Sequence, residues 1–596
     1  MKQLSVLNKY FVKYSKYFIL GIIFVSLSNY FRVLQPQMIR EALDLVIDNI
    51  STYQRLEGFG AQKLFLGTIA KNLLFFGSLV LILALVMGVF MYFMRQTIIV
   101  MSRLIEYDMR KEIFDHYEKL DIAFYKRNNT GDLMSRITED VTKVRMYLGP
   151  AVLYGINLVS LFVLVIYSMV SVSPELTLYC LAPLPFLSIS IYYVSNLINK
   201  KSEVIQKQLA TLNSTSQEVY SGIRVVKAYV QEKAMGRFFA AQSEDYKQKS
   251  LDLVQVNAFF FPLMILLIGI STLLTVYMGG IQVLKGNITP GNIAEFVIYV
   301  NMLTWPVTAI GWIASIVQQA SASQKRINEF LDNKPTVVNK ADNKSPLKGQ
   351  VIFDNVSFTY PDTGIEALKN INFEIKPGQR LAIIGKTGSG KTTIADLLVR
   401  MYDITSGKLL VDGLPIDQHD LANLRQRIGY VPQDVFLFSD SISKNISFGK
   451  ADAEQEEIEQ FARYASVYDD IMDLTYGFDT LVGERGVTLS GGQKQRVSIA
   501  RALIKKPDLI ILDDCLSAVD TNTEQQILSY FNDSLKDKSA IIITHRIYSL
   551  LEFDKIIVLD EGRITEQGTH EELLANKGYY YDLYERQTIE EKTPEV

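Results

Sequence analysis

The chain has 596 residues, which is more than a single hydrophobic core normally supports, so two or more domains are expected. Its net charge is only -3, and no basic patch with interleaved aromatic residues occurs, so a nucleic-acid partner is not expected. The two cysteines, Cys180 and Cys515, are too few for a disulfide framework and too isolated for a metal site. Apolar residues are concentrated in the first half, which predicts a membrane domain followed by a cytosolic one.

Residues 1–16 alternate apolar side chains with lysines, a pattern typical of an amphipathic helix that lies along a membrane surface. Six later stretches are apolar and long enough to span a bilayer. They cover residues 17–34, 73–94, 151–172, 176–197, 259–278 and 293–317. The alternative, six buried core helices, would require a soluble domain large enough to bury them, and the first half of the chain contains none.

The connections between spans two and three and between spans four and five are long and rich in lysine and arginine. By the positive-inside rule, both connections and both chain ends lie in the cytoplasm. Their sequences favour helix, so two helical hairpins are expected to project from the membrane. Of the two tips, residues 124–136 carry a turn signal before an Asp-led helix start, and residues 218–228 place a glycine inside an amphipathic stretch. Residues 331–349 lack an apolar period and contain Pro335 and Pro346, which indicates a linker.

A glycine-rich loop follows a short apolar run and precedes a helix-forming stretch in the second half. It reads Gly385, Lys386, Thr387, Gly388, Ser389, Gly390, Lys391, Thr392. Glycines allow consecutive backbone N–H groups to converge on phosphate oxygens, and the helix that follows directs its positive end to the same place. Lys391 adds a charge and Thr392 a hydroxyl that can bind Mg²⁺. The loop predicts a nucleoside triphosphate as ligand, although such turns also occur for structural reasons alone.

Three further features accompany this loop. The apolar run 509–512 ends in Asp513 and Asp514, which suits a buried strand that delivers a carboxylate to Mg²⁺ beside the phosphates. Tyr360 ends an earlier strand, where it could stack on adenine or simply pack. Ser490 and the two glycines that follow it open a helix and form a second anion site.

The order of these motifs resembles the ATP-binding cassette (ABC) family, and the likeness covers essentially the whole chain. The matching motifs are Tyr360, the loop 385–392, Gln433, residues 489–493, 511–514 and 517–520, and His545. Residues 483–486 also resemble a segment found in ABC exporters. The resemblance implies a multidomain chain with an all-α six-helix transmembrane domain followed by an α/β P-loop NTPase domain. The expected parts are 1–16, 17–330, the linker 331–349, the nucleotide-binding domain 350–585 and a charged tail 586–596.

The resemblance also implies ATP and Mg²⁺ as cofactors and an ATP hydrolase coupled to transport. Mg²⁺ would be bound by Thr392, Gln433 and Asp513, and catalysis would involve Asp514, His545 and Gln433. The ATP-binding residues implied are Tyr360, Gly385, Lys386, Thr387, Gly388, Ser389, Gly390, Lys391, Thr392, Thr393, Gln433, Ser490, Gly491, Gly492 and Gln493. In this family two cassettes pair head to tail, so the helix that Ser490 opens serves the partner's ATP.

One position departs from the family pattern. The family normally has glutamate after the metal-binding aspartate, whereas this chain has Asp514, which is one methylene shorter. An offset of about 1 Å in a catalytic group can cost about a hundredfold in rate. The change resembles the impaired half of a heterodimer, so a heterodimer with a second half-transporter is favoured and a homodimer with two slow sites is the alternative.

The resulting hypothesis is an ATP-driven exporter or flippase of hydrophobic or amphipathic substrates in the plasma (inner) membrane, with cassette and termini cytoplasmic. An ATP-gated channel or regulatory membrane protein is the alternative, and a soluble ATPase acting on DNA is disfavoured by the spans. Drug, lipid and peptide substrates remain open. Arg32, within the first span, could meet an anionic or amphipathic substrate or could pair with a carboxylate such as Glu295.

Overall fold

The computed structural model describes residues 2–592 except 57, 340, 484–488, 518, 520, 535–537 and 548–552. The chain divides into two compact units. The membrane unit comprises Met1–Tyr117 and Gly131–Asp332, and the cassette unit comprises Glu118–Thr130 and Asn333–Val596. The short segment 118–130 therefore belongs with the cassette, although the chain on both sides of it belongs to the membrane unit.

The chain up to Leu331 is helical. Its α-helices are α1 (Asn8–Lys13), α2 (Ser15–Arg55), α3 (Phe59–Tyr117), α4 (Ile122–Arg127), α5 (Thr130–Ser135), α6 (Val141–Met146), α7 (Val152–Val172), α8 (Pro174–Leu181), α9 (Pro183–Ser221), α10 (Ile223–Ala228), α11 (Glu232–Leu284) and α12 (Pro290–Leu331). All of them except α4 lie in the membrane unit. Within that unit α2 packs along α3 and α9 along α11, while α12 contacts both α2 and α7.

Among the described residues, five helices are long and apolar enough to cross a membrane. They contain the predicted spans 17–34, 73–94, 151–172, 259–278 and 293–317. The predicted span 176–197 lies on α8 and the first part of α9, where Pro183 begins a new helix and several side chains fall outside the described residues. That span stays a prediction. The all-α character of this half is confirmed.

Polar caps determine where two of these helices begin. Ser173 has an extended backbone and its Oγ accepts a hydrogen bond from the Leu176 N–H (3.2 Å), and Pro174 then starts α8. Thr289 and Asn292 form a capping box at the start of α12. Asp44 of α2 accepts a further hydrogen bond from the Gly291 N–H (2.7 Å), so the first turn of α12 is tied to α2.

A buried ion pair joins α2 to α12. Glu295 is fully buried, and its carboxylate accepts hydrogen bonds from Arg40 (3.1 Å) and from the Tyr299 hydroxyl (3.0 Å). Asn292 donates to the same carboxylate at 3.3 Å. The proposed pairing of Arg32 with Glu295 is therefore wrong, because the partner of Glu295 is Arg40, just over two helical turns further along α2.

The N-terminal segment differs from the single amphipathic helix expected for residues 1–16. A 3₁₀ turn, Lys2–Leu7, precedes α1, and Tyr14 separates α1 from α2. Leu7 and Tyr10 are buried within the membrane unit, and the Tyr10 hydroxyl donates a hydrogen bond to Glu112 of α3 (2.6 Å). Lys9 and Lys13 pair with Glu112 and Asp108 of α3 (2.7 and 2.5 Å), whereas the apolar side chains of Val6 and Val12 are exposed.

The cassette unit is an α/β domain, as predicted. Its strands are β1 (Val351–Thr359), β2 (Glu366–Ile375), β3 (Arg380–Gly385), β4 (Ser406–Val411), β5 (Leu414–Pro415), β6 (Ile428–Val431), β7 (Leu509–Asp513), β8 (Ser539–Ile543), β9 (Lys555–Asp560) and β10 (Arg563–Gly568). Its helices after α4 are α13 (Lys391–Leu398), α14 (Leu421–Arg427), α15 (Ile442–Ser447), α16 (Gln455–Tyr464), α17 (Tyr468–Met472), α18 (Gly491–Leu503), α19 (Thr521–Ser534), α20 (His570–Asn576) and α21 (Tyr579–Lys592).

Two sheets form the centre of the cassette unit. The antiparallel sheet has the order β2-β1-β4-β5, and the second sheet has the order β10-β9-β3-β8-β7-β6, parallel except for β10. One hydrophobic core joins both sheets to α13 and includes Ile394 and Leu398. Ala123 of α4 is buried in this core, and the Thr336 N–H donates to Asp121 (2.7 Å), so the segment 118–130 is an integral part of the unit.

The Arg40–Glu295 pair leads to a prediction, with Arg32, which makes no hydrogen bond or ion pair with a described residue, as the comparison. Replacing Glu295 by glutamine should lower the free energy of unfolding by about 2 kcal/mol, because Arg40 would lose its buried counter-charge while keeping its ion pair with Glu41. Arg32→Gln should leave it unchanged, because no interaction is lost. The thermal unfolding midpoints of the purified variants in one detergent test this, and equal midpoints for the two variants would contradict it.

Candidate functional site

The carboxyl ends of the parallel strands place several predicted residues at one edge of the sheet. β3 ends at Gly385 and leads into the glycine-rich loop, and β7 ends at Asp513. β6 pairs with β7 and β7 pairs with β8, so the segments that follow these three strands lie next to one another. Gln433 follows β6, Asp514 follows β7 and His545 follows β8. Ligands of open α/β sheets bind at this edge.

Glycine is required at two points of the loop. Gly385 and Gly390 have φ values of 155° and 104°, and Gly390 is the N-cap of α13. A Cβ at Gly390 would lie 2.5 Å from the Ala367 carbonyl oxygen, and one at Gly385 would lie 2.1 Å from the carbonyl oxygen of Leu559. The loop backbone therefore packs directly against β2 and β9. This packing fixes the positions of the loop N–H groups, which can bind an anion.

Lys391 and Asp513 are buried side by side at the base of the loop. The Lys391 ammonium donates hydrogen bonds to the carbonyl oxygens of Gly385 and Lys386, both at 2.8 Å. Burial lowers the pKa of Lys391, while the carboxylates of Asp513 and Asp514 act in the opposite direction. Burial raises the pKa of Asp513, and a hydrogen bond from Thr392 opposes that shift. Asp513 Oδ2 is buried and has no hydrogen-bond partner among the described residues.

These residues border a cleft of about 530 Å³. Of the predicted site residues, the cleft is lined by Tyr360, Thr387, Gly388, Gly390, Lys391, Thr392, Thr393, Gln433, Asp513, Asp514 and His545. Gly385, Lys386 and Ser389 belong to the same loop but are not part of the lining. Ser389 Oγ is buried without a hydrogen-bond partner among the described residues.

Sequence reasoning missed part of the cleft wall. Ile365, Lys369 and Glu561 also line the cleft, and the Lys369 N–H donates to the Gly562 carbonyl (2.8 Å), which joins β2 to the turn between β9 and β10. These residues belong to no recognisable motif, and they reach the cleft only because the antiparallel sheet folds over the loop. No signal in the sequence could have identified them.

Tyr360 is fixed by contacts on several sides. Its hydroxyl is hydrogen-bonded to Thr393 Oγ1 (2.9 Å), and its ring makes an edge contact with Tyr402 at 5.4 Å between centroids. Lys126 of α4 lies over both rings, with Nζ 5.0 Å from the Tyr360 centroid and 5.3 Å from that of Tyr402. Lys126 does not line the cleft, so it contacts Tyr360 from outside. Burial raises the pKa of the neighbouring Asp396 to about 6.

The second predicted anion site lies elsewhere. Ser490 is the N-cap of α18 and forms a capping box with Gln493, whose amide also donates to Asp470 (2.9 Å). Ser490, Gly491, Gly492 and Gln493 are all described, and none lines the cleft. Since Ser490 and Gly491 are exposed, this helix end is open to a ligand from outside the chain's own cleft.

Asp514 and His545 face each other at the mouth of the cleft. His545 Nε2 lies 3.9 Å from Asp514 Oδ2, and burial raises the pKa of Asp514. Asp514 has φ of 48°, a left-handed conformation that aspartate tolerates better than most residues with a Cβ. Its N–H donates to the Ile543 carbonyl (2.8 Å), which fixes this backbone turn. Of the remaining predicted motifs, residues 484–486, 518 and 520 lie outside the described residues.

Comparisons with known proteins identify the family of the chain. Residues 18–307 match the family described as ABC transporter transmembrane region, and residues 368–517 match the family described as ABC transporter. The chain is 38% identical over 525 residues to the probable multidrug resistance ABC transporter ATP-binding/permease protein YheI of Bacillus subtilis, covering 87% of this chain and 89% of that protein. The chain belongs to the ABC transporter family. It joins a multi-pass membrane domain and an ATP-binding domain in one polypeptide, and family membership implies ATP hydrolysis coupled to transport.

Two other relatives are similar over comparable lengths. The multidrug resistance-like ATP-binding protein MdlA of Escherichia coli is 37% identical over 524 residues, which cover 88% of this chain and 89% of that ABC transporter. The ATP-dependent lipid A-core flippase of Syntrophus aciditrophicus is 34% identical over 539 residues, with coverage of 90% and 89%. The names of these relatives therefore refer to two substrate classes, drugs and lipid A.

If Tyr360 stacks on adenine as expected from the sequence, its contact with Lys126 predicts an effect on ATP binding from a residue outside the cleft. Lys126→Met should weaken ATP binding about fivefold, because a cation–π contact of about 1 kcal/mol no longer holds the tyrosine. Lys126→Arg should retain most of the affinity. Titration of the full chain with a fluorescent ATP analogue measures this. The matched control is Arg127→Met, and equal dissociation constants for all variants would refute the expectation.

Proposed function

We propose that this protein exports or flips a hydrophobic or amphipathic substrate across the plasma (inner) membrane, driven by ATP, as a dimer of half-transporters. The observation that carries the proposal is the position of segment 118–130. This segment connects α3 to α5 of the membrane unit, yet it belongs to the cassette unit and buries Ala123 in the cassette core. Movement of the cassette must therefore pull on both helices, which suits alternating access.

The buried residues of the cleft fit ATP with Mg²⁺. Thr392, Gln433 and Asp513 would hold the metal, since Asp513 Oδ2 is buried and has no hydrogen-bond partner among the described residues. Mg²⁺ would neutralise charge on the phosphate oxygens when bound. Lys391 and the loop N–H groups would hold the phosphates, and Tyr360 would stack on adenine. Gln433 would also sense the metal, and His545 would contact the γ-phosphate.

A second chain would complete each ATP site. Ser490, Gly491, Gly492 and Gln493 lie outside the cleft, and the exposed end of α18 would meet ATP held by the partner's loop. ATP would thus join two cassettes, and hydrolysis would release them. The same separation explains why one chain carries two phosphate-binding helix ends.

Asp514 supports a heterodimer with a more active partner. The side chain is one methylene shorter than the family's glutamate, and its backbone turn is fixed by the hydrogen bond to Ile543. With the backbone held there, the shorter side chain would not reach as far toward an attacking water as a glutamate would. This chain's own ATP would turn over slowly, while its intact α18 end would serve catalysis on the partner's ATP.

The orientation follows from the charges of the hairpins. The basic connections would face the cytoplasm together with the cassette and both termini. Relatives named multidrug resistance proteins and lipid A-core flippases support a greasy or amphipathic substrate for this chain as well.

Export is tested by transport in inverted membrane vesicles that contain the protein and its partner. Uphill accumulation of a fluorescent amphipathic dye should require ATP and should be lost in Lys391→Ala, because the phosphates would lose their buried charge. Arg55→Gln, an exposed position in the last turn of α2, serves as the control. Dye movement that only equilibrates across the membrane would contradict export and would indicate a channel.

Asp514 gives a separate prediction for the chain purified alone. Asp514→Glu should raise its ATPase rate about tenfold or more, because the carboxylate regains the reach needed to orient water. Asp513→Asn should abolish any rate that is present. Steady-state phosphate release measures both, and a robust rate of the unaltered chain that Asp514→Asn abolishes would refute the impaired site.

A further inference from the structure

A side chain near the end of the chain holds the backbone of the loop that carries His545. Gln587 lies in α21, and its amide donates a hydrogen bond to the His545 carbonyl oxygen (2.9 Å) and accepts one from the Ile547 N–H (2.8 Å). These two partners fix the orientation of the amide, because the carbonyl oxygen requires a donor and the N–H requires an acceptor. Glutamate would lack the donor and lysine the acceptor, so a glutamine amide suits both partners.

The position of the His545 imidazole depends on this backbone. The residue before it is fixed by the sheet, since the Thr544 N–H donates to the Ile383 carbonyl of β3 (3.1 Å). Beyond that point the chain leaves the sheet, and 43% of the His545 side chain is exposed at the mouth of the cleft. Gln587 therefore holds the loop where the support of the sheet has ended.

The helix α21 is anchored to the cassette by contacts other than those of Gln587. Tyr580 is buried in a core cluster that includes Ile384, and its hydroxyl is hydrogen-bonded to His570 Nδ1 (2.6 Å). The Tyr579 N–H donates to Glu566 (2.6 Å). These contacts hold the first turn of α21, just over two turns before Gln587. The two hydrogen bonds of Gln587 are therefore not needed to dock the helix.

The same helix also contacts the glycine-rich loop. Lys386 Nζ lies 5.8 Å from the centroid of the Tyr579 ring and 3.8 Å from Asp560 Oδ2. Tyr579 and Gln587 are both described, and neither lines the ATP cleft. The helix α21 thus touches two loops of the nucleotide site from outside the cleft, so its side chains can act on ATP only through those loops.

We infer that Gln587 is a positioning residue, which holds the His545 imidazole where it meets the γ-phosphate of ATP. This inference rests on the proposed contact of His545 with that phosphate and adds the group that maintains it. Without the two hydrogen bonds the loop has more freedom, and ATP binds only at the cost of ordering it. ADP has no γ-phosphate, so its affinity does not depend on Gln587.

The ratio of the ATP and ADP affinities tests this role without transport. A fluorescent ATP analogue bound to the full chain in detergent is displaced by ATP or by ADP, each with Mg²⁺. Gln587→Met has a side chain of similar length and removes both hydrogen bonds. It should weaken ATP binding about fivefold and leave ADP binding unchanged. His545→Ala should weaken ATP binding at least as much, again without an effect on ADP.

A double variant and two controls separate positioning from a general loosening of α21. Adding Gln587→Met to His545→Ala should cause no further loss of ATP affinity, because Gln587 acts only through His545. Arg586→Gln, an exposed position next to Gln587, should change neither affinity. Tyr580→Phe loses the hydrogen bond to His570, so it should lower the thermal unfolding midpoint and leave the ratio of the two affinities unchanged.

Three results would overturn the inference. The first is an unchanged preference for ATP over ADP in Gln587→Met, and the second is an equal loss of affinity for both nucleotides. The third is a further loss in the double variant, which would show that Gln587 acts independently of His545. The expected affinities together with no ATP-driven dye transport would count against export alone, so the two proposals fail separately.

Discussion

Parallel strands bring their carboxyl ends to one edge of a sheet, and the cassette depends on this constraint. The loop after β3, the carboxylates after β7 and His545 after β8 come from distant parts of the chain. They meet only because β3, β8, β7 and β6 are adjacent parallel strands of one sheet. Lys391 and Asp513 are then buried together, so the charge of each stabilises the charged form of the other before any ligand arrives.

Buried charged groups differ between the two units in how fully they are hydrogen-bonded. In the membrane unit Glu295 receives three hydrogen bonds and a counter-charge, which holds α12 against α2. In the cassette Asp513 keeps one oxygen unused among the described residues. Complete pairing serves the fold, whereas incomplete pairing leaves interaction energy for a ligand. By this criterion Asp513 remains available to a ligand, whereas Arg40 is structural.

The sequence predicts an element correctly where a local pattern determines its structure. The loop 385–392 and the strand before it are recognisable because glycine is required at positions such as Gly390, and hydropathy alone identifies five of the helices. The predicted pairing of Glu295 was wrong because α2 carries three arginines and only packing selects Arg40. The contact of Lys126 with Tyr360 joins residues far apart in the chain, so no pattern in the sequence could reveal it.

The burial of Ala123 in the cassette core has a consequence for biosynthesis. Its segment leaves the ribosome well before the first cassette strand, Val351–Thr359, and translation of the intervening chain takes about 10 to 50 s. During that time Ala123 and Lys126 have no cassette to contact, although α3 is already made. The cassette unit therefore cannot complete its core until the strands from Val351 onward have been made, although part of that core is synthesised within the membrane half. A defect in the cassette would leave this apolar segment exposed to chaperones and proteases while the helices around it are already in the bilayer.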